Sequence, residues 1–344
     1  MTITDPTTAP SADRLAAARL MLSSLGITVE DLTSSPTSTK DVPTFNVYIP
    51  IVEAAVTPGT LRVYGSYWKR IKERWGERRL DEPTATEIAG LVEHTKQNRV
   101  QRRNGRGGNC AGEHMVAAFR CLYKFAVIDE HIPASMNPAA KVPKPRRLPS
   151  NRRGLPAKQI NELVDVANST GNDPALDALI VRFHLETAAR RAAALKLRLR
   201  DIDEEQCLLL LQEKGGVFRW QPASPTLVAH LLDHAKRRGC LEPDSRVLRN
   251  LNGKPITTRR YDGLWERCRK HIPWADRQQV ATHWLRYTTL TFVERRFGLA
   301  VAQAYAGHET KNDALTTTTY VRAGINEVAT ALAALTGEPH PLAT

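Results

Sequence analysis

Six side chains form a set able to work on a phosphodiester: Arg190, Lys214, His283, Arg286, His308 and Tyr320. They sit in the short stretches "TAAR", "LQEKGGVF", "HWLR", "AGH" and "TTTTYV". Attack at phosphorus spreads negative charge over the non-bridging oxygens. Guanidiniums bind such oxygens through planar, charge-assisted hydrogen bonds, better than an ammonium does. They can stabilise that charge in place of a metal ion. A phenol with a pKa near 10 must lose its proton to attack, so a nearby imidazole is needed as base. The product would be a covalent phosphotyrosine. The departing sugar oxygen needs a proton, which Lys214 on a turn can deliver. His283 and Arg286 are three residues apart, on one face of a helix, so both can address one anion. No cluster of Asp and Glu suited to Mg²⁺ accompanies these groups. Neither a metal nor a cofactor is expected.

The elements that position them are mainly helical. "PALDALIVRFHLETAARRAAALKL" is a long helical run that ends at Arg190. The period then changes to that of strands. "CLLLLQ" and "VFRWQP" flank "KGG", which reads as a hairpin with Lys214 at its tip. "SPTLVAHLLDHAKRRG" returns to helix, capped by Ser224 or Thr226 and ended by Gly239. The expected class is mainly α with a small antiparallel β-hairpin or sheet.

A length of 344 residues suggests two domains. No run approaches the ~18 apolar residues of a membrane span, and the first residues do not read as a secretory signal. A cytoplasmic protein is expected. The five cysteines show no C-x-x-C pair and no zinc-site spacing, so reduced structural thiols are expected. A net charge of +13 favours a polyanionic partner, because neutralising phosphates releases condensed counterions. Arginines placed in loops and linkers favour nucleic acid over a membrane surface.

Residues 1–45 read as a flexible N-terminal extension that can hold one short helix. Residues 46–136 read as a helical DNA-binding domain. In its stretch "TPGTLRVYGSYWKRIKERWGE", Leu61, Tyr64, Trp68, Ile71 and Trp75 form an amphipathic stripe. Thr60 is the expected N-cap and Gly76 the expected stop. A later helix has Met115, Ala118, Phe119, Leu122 and Phe125 on its core side. Arg99, Arg102, Arg103 and Arg106 lie in the glycine-rich loop before it and can sit on a phosphate backbone. Residues 137–156, "NPAAKVPKPRRLPSNRRGLP", hold five prolines and six basic residues with no acid. This stretch reads as an extended basic tether able to contact DNA through Arg146, Arg147, Arg152 and Arg153. Residues 157–344 form the second domain.

In order and context, the motifs resemble those of the tyrosine recombinase (phage integrase) family. The resemblance covers about residues 57–335 and is sharpest from Glu186 onward. "TAAR" with "AALKLRLRDID" is similar to the family's first arginine box, and "HWLR", "AGH" and "TTTTYV" to its second box and nucleophile. The resemblance implies that Arg190 and Arg286 are the two catalytic arginines and Lys214 the hairpin lysine. It makes His283 the H-x-x-R histidine, His308 the third-position His or Trp, and Tyr320 the nucleophile. It implies a core-binding (SAM-like) helical domain followed by a catalytic domain. It also implies double-stranded DNA target sites, and a monomer that becomes a homotetramer on two duplexes.

Four departures from the family pattern stand in the sequence. Ala188 and Ala193 replace a common Gly and a frequent Glu in the first box. Tyr287 stands where a second His is common, and the loop from His308 to Tyr320 is longer than usual. The expected activity is site-specific recombination or integration through a 3′-phosphotyrosine, for a mobile element. A type IB topoisomerase, a chromosome-dimer resolvase and a non-catalytic DNA-binding protein are the alternatives. The alanine-rich helix "AGINEVATALAALTG" can dock on a neighbouring protomer or fold onto its own domain.

Overall fold

The computed structural model describes residues 12–26, 28, 41–98, 109–146, 152–213, 215–308 and 323–344. Contacts divide the chain into two compact units, Met1–Leu148 and Pro149–Thr344.

The first unit is helical. Helix α1 (Ala12–Ser24) exposes Leu15, Leu20 and Met21. Then come α2 (Phe45–Ala55), α3 (Pro58–Trp75), α4 (Ala85–Gln97), α5 (Asn109–Ile128) and the short α6 (Pro138–Lys141). The sequence reading missed α2, in which Pro50 interrupts a helical pattern. Its apolar face overrides that break: Phe45, Tyr48, Ile49 and Val52 are all buried. The N-cap of α3 is Thr57, not Thr60. The Thr57 hydroxyl accepts from the Thr60 N–H, and Pro58 stands at a position that needs no donor. Leu61, in the first turn, is therefore exposed, while Trp68, Ile71 and Trp75 fill the core. Gly76 permits a close approach, since a Cβ there would meet the Asn46 side chain. Helix α4 opens with a reciprocal capping box between Thr84 and Glu87. In α5, Met115, Ala118, Phe119 and Leu122 are buried, and the Ala118 carbonyl accepts from the Trp68 indole at 3.1 Å.

The expected tether is packed at both ends. Ala139 and Val142 are buried in the first unit's core, and Arg120 donates to both their carbonyls. Leu155 is buried in the second unit, its N–H bonded to the Thr288 hydroxyl at 3.0 Å. The stretch is not extended throughout: Pro138 opens the short α6 within it, and buried apolar neighbours anchor its two ends.

The second unit begins with α7 (Ala157–Ser169), α8 (Pro174–Thr187) and the single turn α9 (Arg191–Ala194). A three-stranded antiparallel sheet follows in the order β1 (Ile202–Asp203), β2 (Leu208–Gln212), β3 (Phe218–Pro222). The β2–β3 hairpin is as expected, with Leu210 opposite Trp220. Gly215 and Gly216 both take left-handed φ in its turn, where glycine carries no Cβ penalty. Then come α10 (Pro225–Arg237), capped by Ser224, α11 (Thr258–His271), α12 (Pro273–Gln278), α13 (Thr282–Ala306) and α14 (Ile325–Thr336). Gly298, at φ +82°, breaks α13 into two segments.

Helix α14 packs on α13, α8 and β3 of its own unit. Val328, Ala331 and Leu332 join Ala188, Val293 and Tyr305 in one buried cluster. Of the two readings for this helix, folding onto its own domain is the one this chain shows, its apolar face covered by that unit. The tail beyond is anchored too. Glu338 accepts from Thr226 and Arg182, and the buried His340 bonds the Cys207 carbonyl. Cys207, Cys240 and Cys268 are buried free thiols, Cys121 is half-buried and Cys110 exposed. No helix among the described residues is long and apolar enough to cross a membrane.

Candidate active site

The site is built where the end of α8, the β2–β3 hairpin and both ends of the first and last turns of α13 converge. Helix α8 stops because Ala188 turns left-handed, at φ +49° and ψ 20°. An alanine there costs ~1 kcal/mol relative to glycine. Its methyl is wholly buried against Val293 and Tyr305, which returns a similar ~0.8 kcal/mol. The departure from the family's glycine is thus close to neutral, and the chain still turns sharply. That turn presents the Ala188 carbonyl to Arg286 and leaves Arg190 extended, capping α9.

His184, a residue the sequence reading did not single out, fixes the same turn. It is wholly buried, with Nδ1 3.0 Å from the Ala189 carbonyl and Nε2 2.9 Å from the Tyr261 hydroxyl. A carbonyl only accepts, so Nδ1 carries the proton and Nε2 accepts from Tyr261. Burial first, then the charges of Arg191 and Arg286, pushes this imidazole down to about 4, while the Ala189 carbonyl opposes the shift. In the unfolded chain it titrates near 6.5. The unfolded state therefore takes up a proton below pH 6.5 that the folded state refuses. Stability is whole above 6.5 and is lost as pH falls toward 4, by ~1.4 kcal/mol per pH unit. Histidine ring spectra should show His184 still neutral at pH 5.5; protonation with a midpoint near 6.5 would contradict this.

Arg286 is buried at 6% exposure on α13. One Nη donates to the Ala188 carbonyl, and the other donates to the Ala306 carbonyl at 2.7 Å and to Nε2 of His308 at 3.3 Å. A guanidinium only donates, so His308 is neutral with its proton on Nδ1. Desolvation, then the charges of Arg190 and Arg219, lower Arg286 to about 10. It stays charged at pH 7, by a ratio of ~10³.

His308 follows Gly307, which ends α13 at φ +61°. A Cβ on Gly307 would collide with Cδ and Nε of Arg219. Glycine is thus required twice, by conformation and by close approach. His308 is exposed, and its pKa is lowered by desolvation and then by Arg286 and Arg190. His283 is exposed in the first turn of α13, and its pKa is lowered by desolvation and then by Arg152, Arg286 and Arg190. Both imidazoles are held neutral, as proton acceptors require.

Arg190 donates to Glu213 at 2.5 Å. Glu213 is buried and also accepts from Nε of Arg219 at 3.2 Å. Neither Glu213 nor Arg219 was singled out from sequence. The signal against Arg219 was its strand: "FRWQP" alternates aromatic and polar residues, which ordinarily turns the aromatics inward. Here Phe218 and Trp220 are exposed at 56% and 45%, and Arg219 and Gln221 point in.

Arg190, His283, Arg286 and His308 are thereby brought together, with Arg152 close enough for its charge to act on His283. Lys214 and Tyr320 lie outside the described residues, as do Arg99, Arg102, Arg103, Arg106 and Arg147. Arg146 is exposed in the first unit, its carbonyl 3.4 Å from Nδ2 of Asn109. Arg152 and Arg153 are exposed in the second. A cavity of about 1280 Å³ in the second unit is lined by Arg153, Leu155, Arg182, Glu186, Arg295 and Glu338 among others. None of the four described site residues, Arg190, His283, Arg286 and His308, lines it. No group of three or more metal-ligating side chains occurs among the described residues.

The model of the phage integrase family matches residues 153–326, half of the chain and the whole arginine-histidine cluster. The chain belongs to the phage integrase family. It is a site-specific tyrosine recombinase, an enzyme that cuts and rejoins DNA. Solved integrases share its fold. A lambda integrase dimer bound to a COC′ core site matches with a TM-score of 0.60 at 16% identity, covering 91% of this chain and 87% of that one. A lambda integrase tetramer on a Holliday junction gives 0.60 at 16%, covering 93% and 91%. The Tn1549 transposon integrase with circular intermediate DNA gives 0.60 at 15%, covering 83% and 97%. No curated protein sequence matches this chain. Within this integrase, Ala193 is buried and carries no carboxylate toward Arg190; Glu213 supplies one instead.

Proposed function

We propose that Arg190, Lys214, His283, Arg286 and His308 surround one phosphodiester of duplex DNA and that Tyr320 is the nucleophile. The observation that supports this most is the buried Arg286. Its guanidinium is fixed by carbonyls from two helix ends, contacts His308 and feels the charge of Arg190. Such a group is oriented before the substrate arrives, so no reorganisation is needed as charge develops. Arg190 and Arg286 take the non-bridging oxygens, and the Nδ1–H of His308 donates to one of them. His283, held neutral, accepts the phenol proton. The Tyr320 oxygen bonds to phosphorus as the bond to the 5′-oxygen breaks, and Lys214 protonates that oxygen. A 3′-phosphotyrosine and a free 5′-hydroxyl result. Attack by the 5′-hydroxyl of a partner strand reverses the step and releases Tyr320. Bond energy is conserved throughout.

In this reading the basic residues Arg99, Arg102, Arg103, Arg106, Arg146, Arg147, Arg152 and Arg153 contact phosphates along the duplex. They orient the protein without reading sequence. The domains divide as an N-terminal extension, a helical core-binding domain, a basic tether and a catalytic domain. The protein works as a homotetramer on two duplexes, assembled from free monomers, in the cytoplasm and on behalf of a mobile element. The relatives seen as a dimer on a core site and a tetramer on a junction support that assembly.

The test is covalent trapping in excess EDTA on a nicked duplex built from a junction recovered by covalent capture. Positive charge comes from guanidiniums, so the adduct should form at the same rate with and without chelator. Loss of the adduct in EDTA, restored by Mg²⁺, would overturn the mechanism.

A further inference from the structure

Glu213 directly follows β2 and Arg219 lies in β3, the two strands of the hairpin. Their side chains are 4% and 13% exposed, and they pair at 3.2 Å. A buried ion pair is poor evidence of stabilisation, because desolvating two charges offsets their attraction. This pair has a further cost: the strand that holds it leaves Phe218 and Trp220 in solvent. Apolar side chains inward and arginine outward would be the better arrangement for folding alone. Departures of this kind concentrate at functional sites.

The pair reaches the reacting groups in two directions. Through its other oxygen Glu213 holds Arg190, which is 32% exposed and makes no other ion pair among the described residues. Through its stem Arg219 packs on Gly307, the residue that aims His308, so closely that no Cβ fits. Its Nη2 is buried and has no partner among the described residues. The backbone N–H of Glu213 also bonds the Val217 carbonyl at 2.7 Å, closing the turn. Charge supports the same conclusion. Arg190, Arg219 and Arg286 face one carboxylate, so the cluster keeps an excess of positive charge for an anion. Burial alone would raise the Glu213 carboxyl, but Arg190 and Arg219 outweigh it and hold it ionised below its ordinary range.

We propose that Glu213 and Arg219 are positioning residues of the cleavage site, a buried pair that fixes Arg190 on one side and the Gly307–His308 corner on the other. The proposal rests on the reading of Arg190 and His308 as phosphate-facing groups. In this chain Glu213 does from the hairpin what no residue at position 193 can do.

The experiment uses the full chain and the same nicked duplex, measuring single-turnover cleavage of saturated complex beside the Kd for that duplex. Glu213→Gln should slow cleavage about 100-fold, the cost of a misplaced reacting group, with Kd changed less than about threefold. It also leaves Arg219 with an uncompensated buried charge, so a second variant is needed. Glu213→Gln with Arg219→Gln removes both charges and keeps similar volume. It should fold at least as well and cleave as slowly as the single variant. Wild-type cleavage in Glu213→Gln would overturn the proposal. So would recovery of wild-type cleavage in the double variant, which would reduce the pair to a structural one. Arg190→Ala serves as the separate control. If it cleaves like wild type, the underlying site assignment fails, whatever the hairpin variants do.

Discussion

Tyr320→Phe should abolish covalent attachment to DNA while binding persists. The phenol oxygen is the only heavy atom removed, and in the proposed mechanism it is the atom that bonds to phosphorus. Loss of a nucleophile costs on the order of 10⁴–10⁶ in rate, because the remaining groups have nothing to activate. Binding rests on the basic surface and counterion release, so Kd should stay within about threefold. The substitution discriminates sharply because the nearest rival in sequence is disqualified by its surroundings. Tyr305 is wholly buried and donates its hydroxyl to the Glu186 carbonyl. Burial, then the Glu186 charge, raises its pKa far above the ordinary tyrosine value. It can neither reach a phosphodiester nor ionise. Denaturing gels on the nicked duplex would report the adduct directly. Full-strength adduct in Tyr320→Phe would remove Tyr320 as nucleophile, and the exposed Tyr287 would then be the tyrosine to test.

What the sequence revealed of this site follows from how each group is held. Arg190, His283, Arg286 and His308 were legible because each lies in a short local pattern whose spacing fixes its face or turn. The i,i+3 placement of His283 and Arg286 is the clearest case. Glu213, Arg219 and His184 were not legible, for a physical reason. Their roles depend on contacts between elements, which no local period encodes. Arg219 was actively hidden, because an alternating strand reads as aromatic-in until the buried carboxylate opposite it is known. The same holds for the fold. The hairpin and most helices declared themselves by period and punctuation. Helix α2 was concealed by Pro50, and the docking of α14 by the fact that an apolar face does not state what covers it. Ala188 is the converse case: it departs from the family motif in sequence, yet in the structure it keeps the left-handed turn that a glycine would make.

Arg286→Lys should be the most damaging of the conservative changes. Lysine keeps one positive charge but concentrates it on a single nitrogen, whereas arginine offers five N–H donors in a rigid fork. In this site the fork already spans two carbonyls on separate elements, Ala188 at the end of α8 and Ala306 at the end of α13. An ammonium cannot reach both and also address a phosphate. The electrostatic loss should lower single-turnover cleavage about 10²–10³-fold, the range for removing one preorganised donor of a developing anion. A separate effect should appear in the folded state. At least one buried carbonyl is left without a donor, at ~1–3 kcal/mol. His308 also loses its Nε2 partner, which frees its ring to turn and to take the other tautomer. The two effects separate experimentally. Urea midpoints report the orphaned carbonyl, while cleavage of saturated complex reports the transition state. Kd for the duplex should move less than cleavage does, because Arg286 is buried and, in the proposed site, meets one phosphate among many. A lysine variant that melts early yet cleaves within about threefold of wild type would show Arg286 to be a structural clamp between two helix ends, with no part in stabilising the phosphoryl charge.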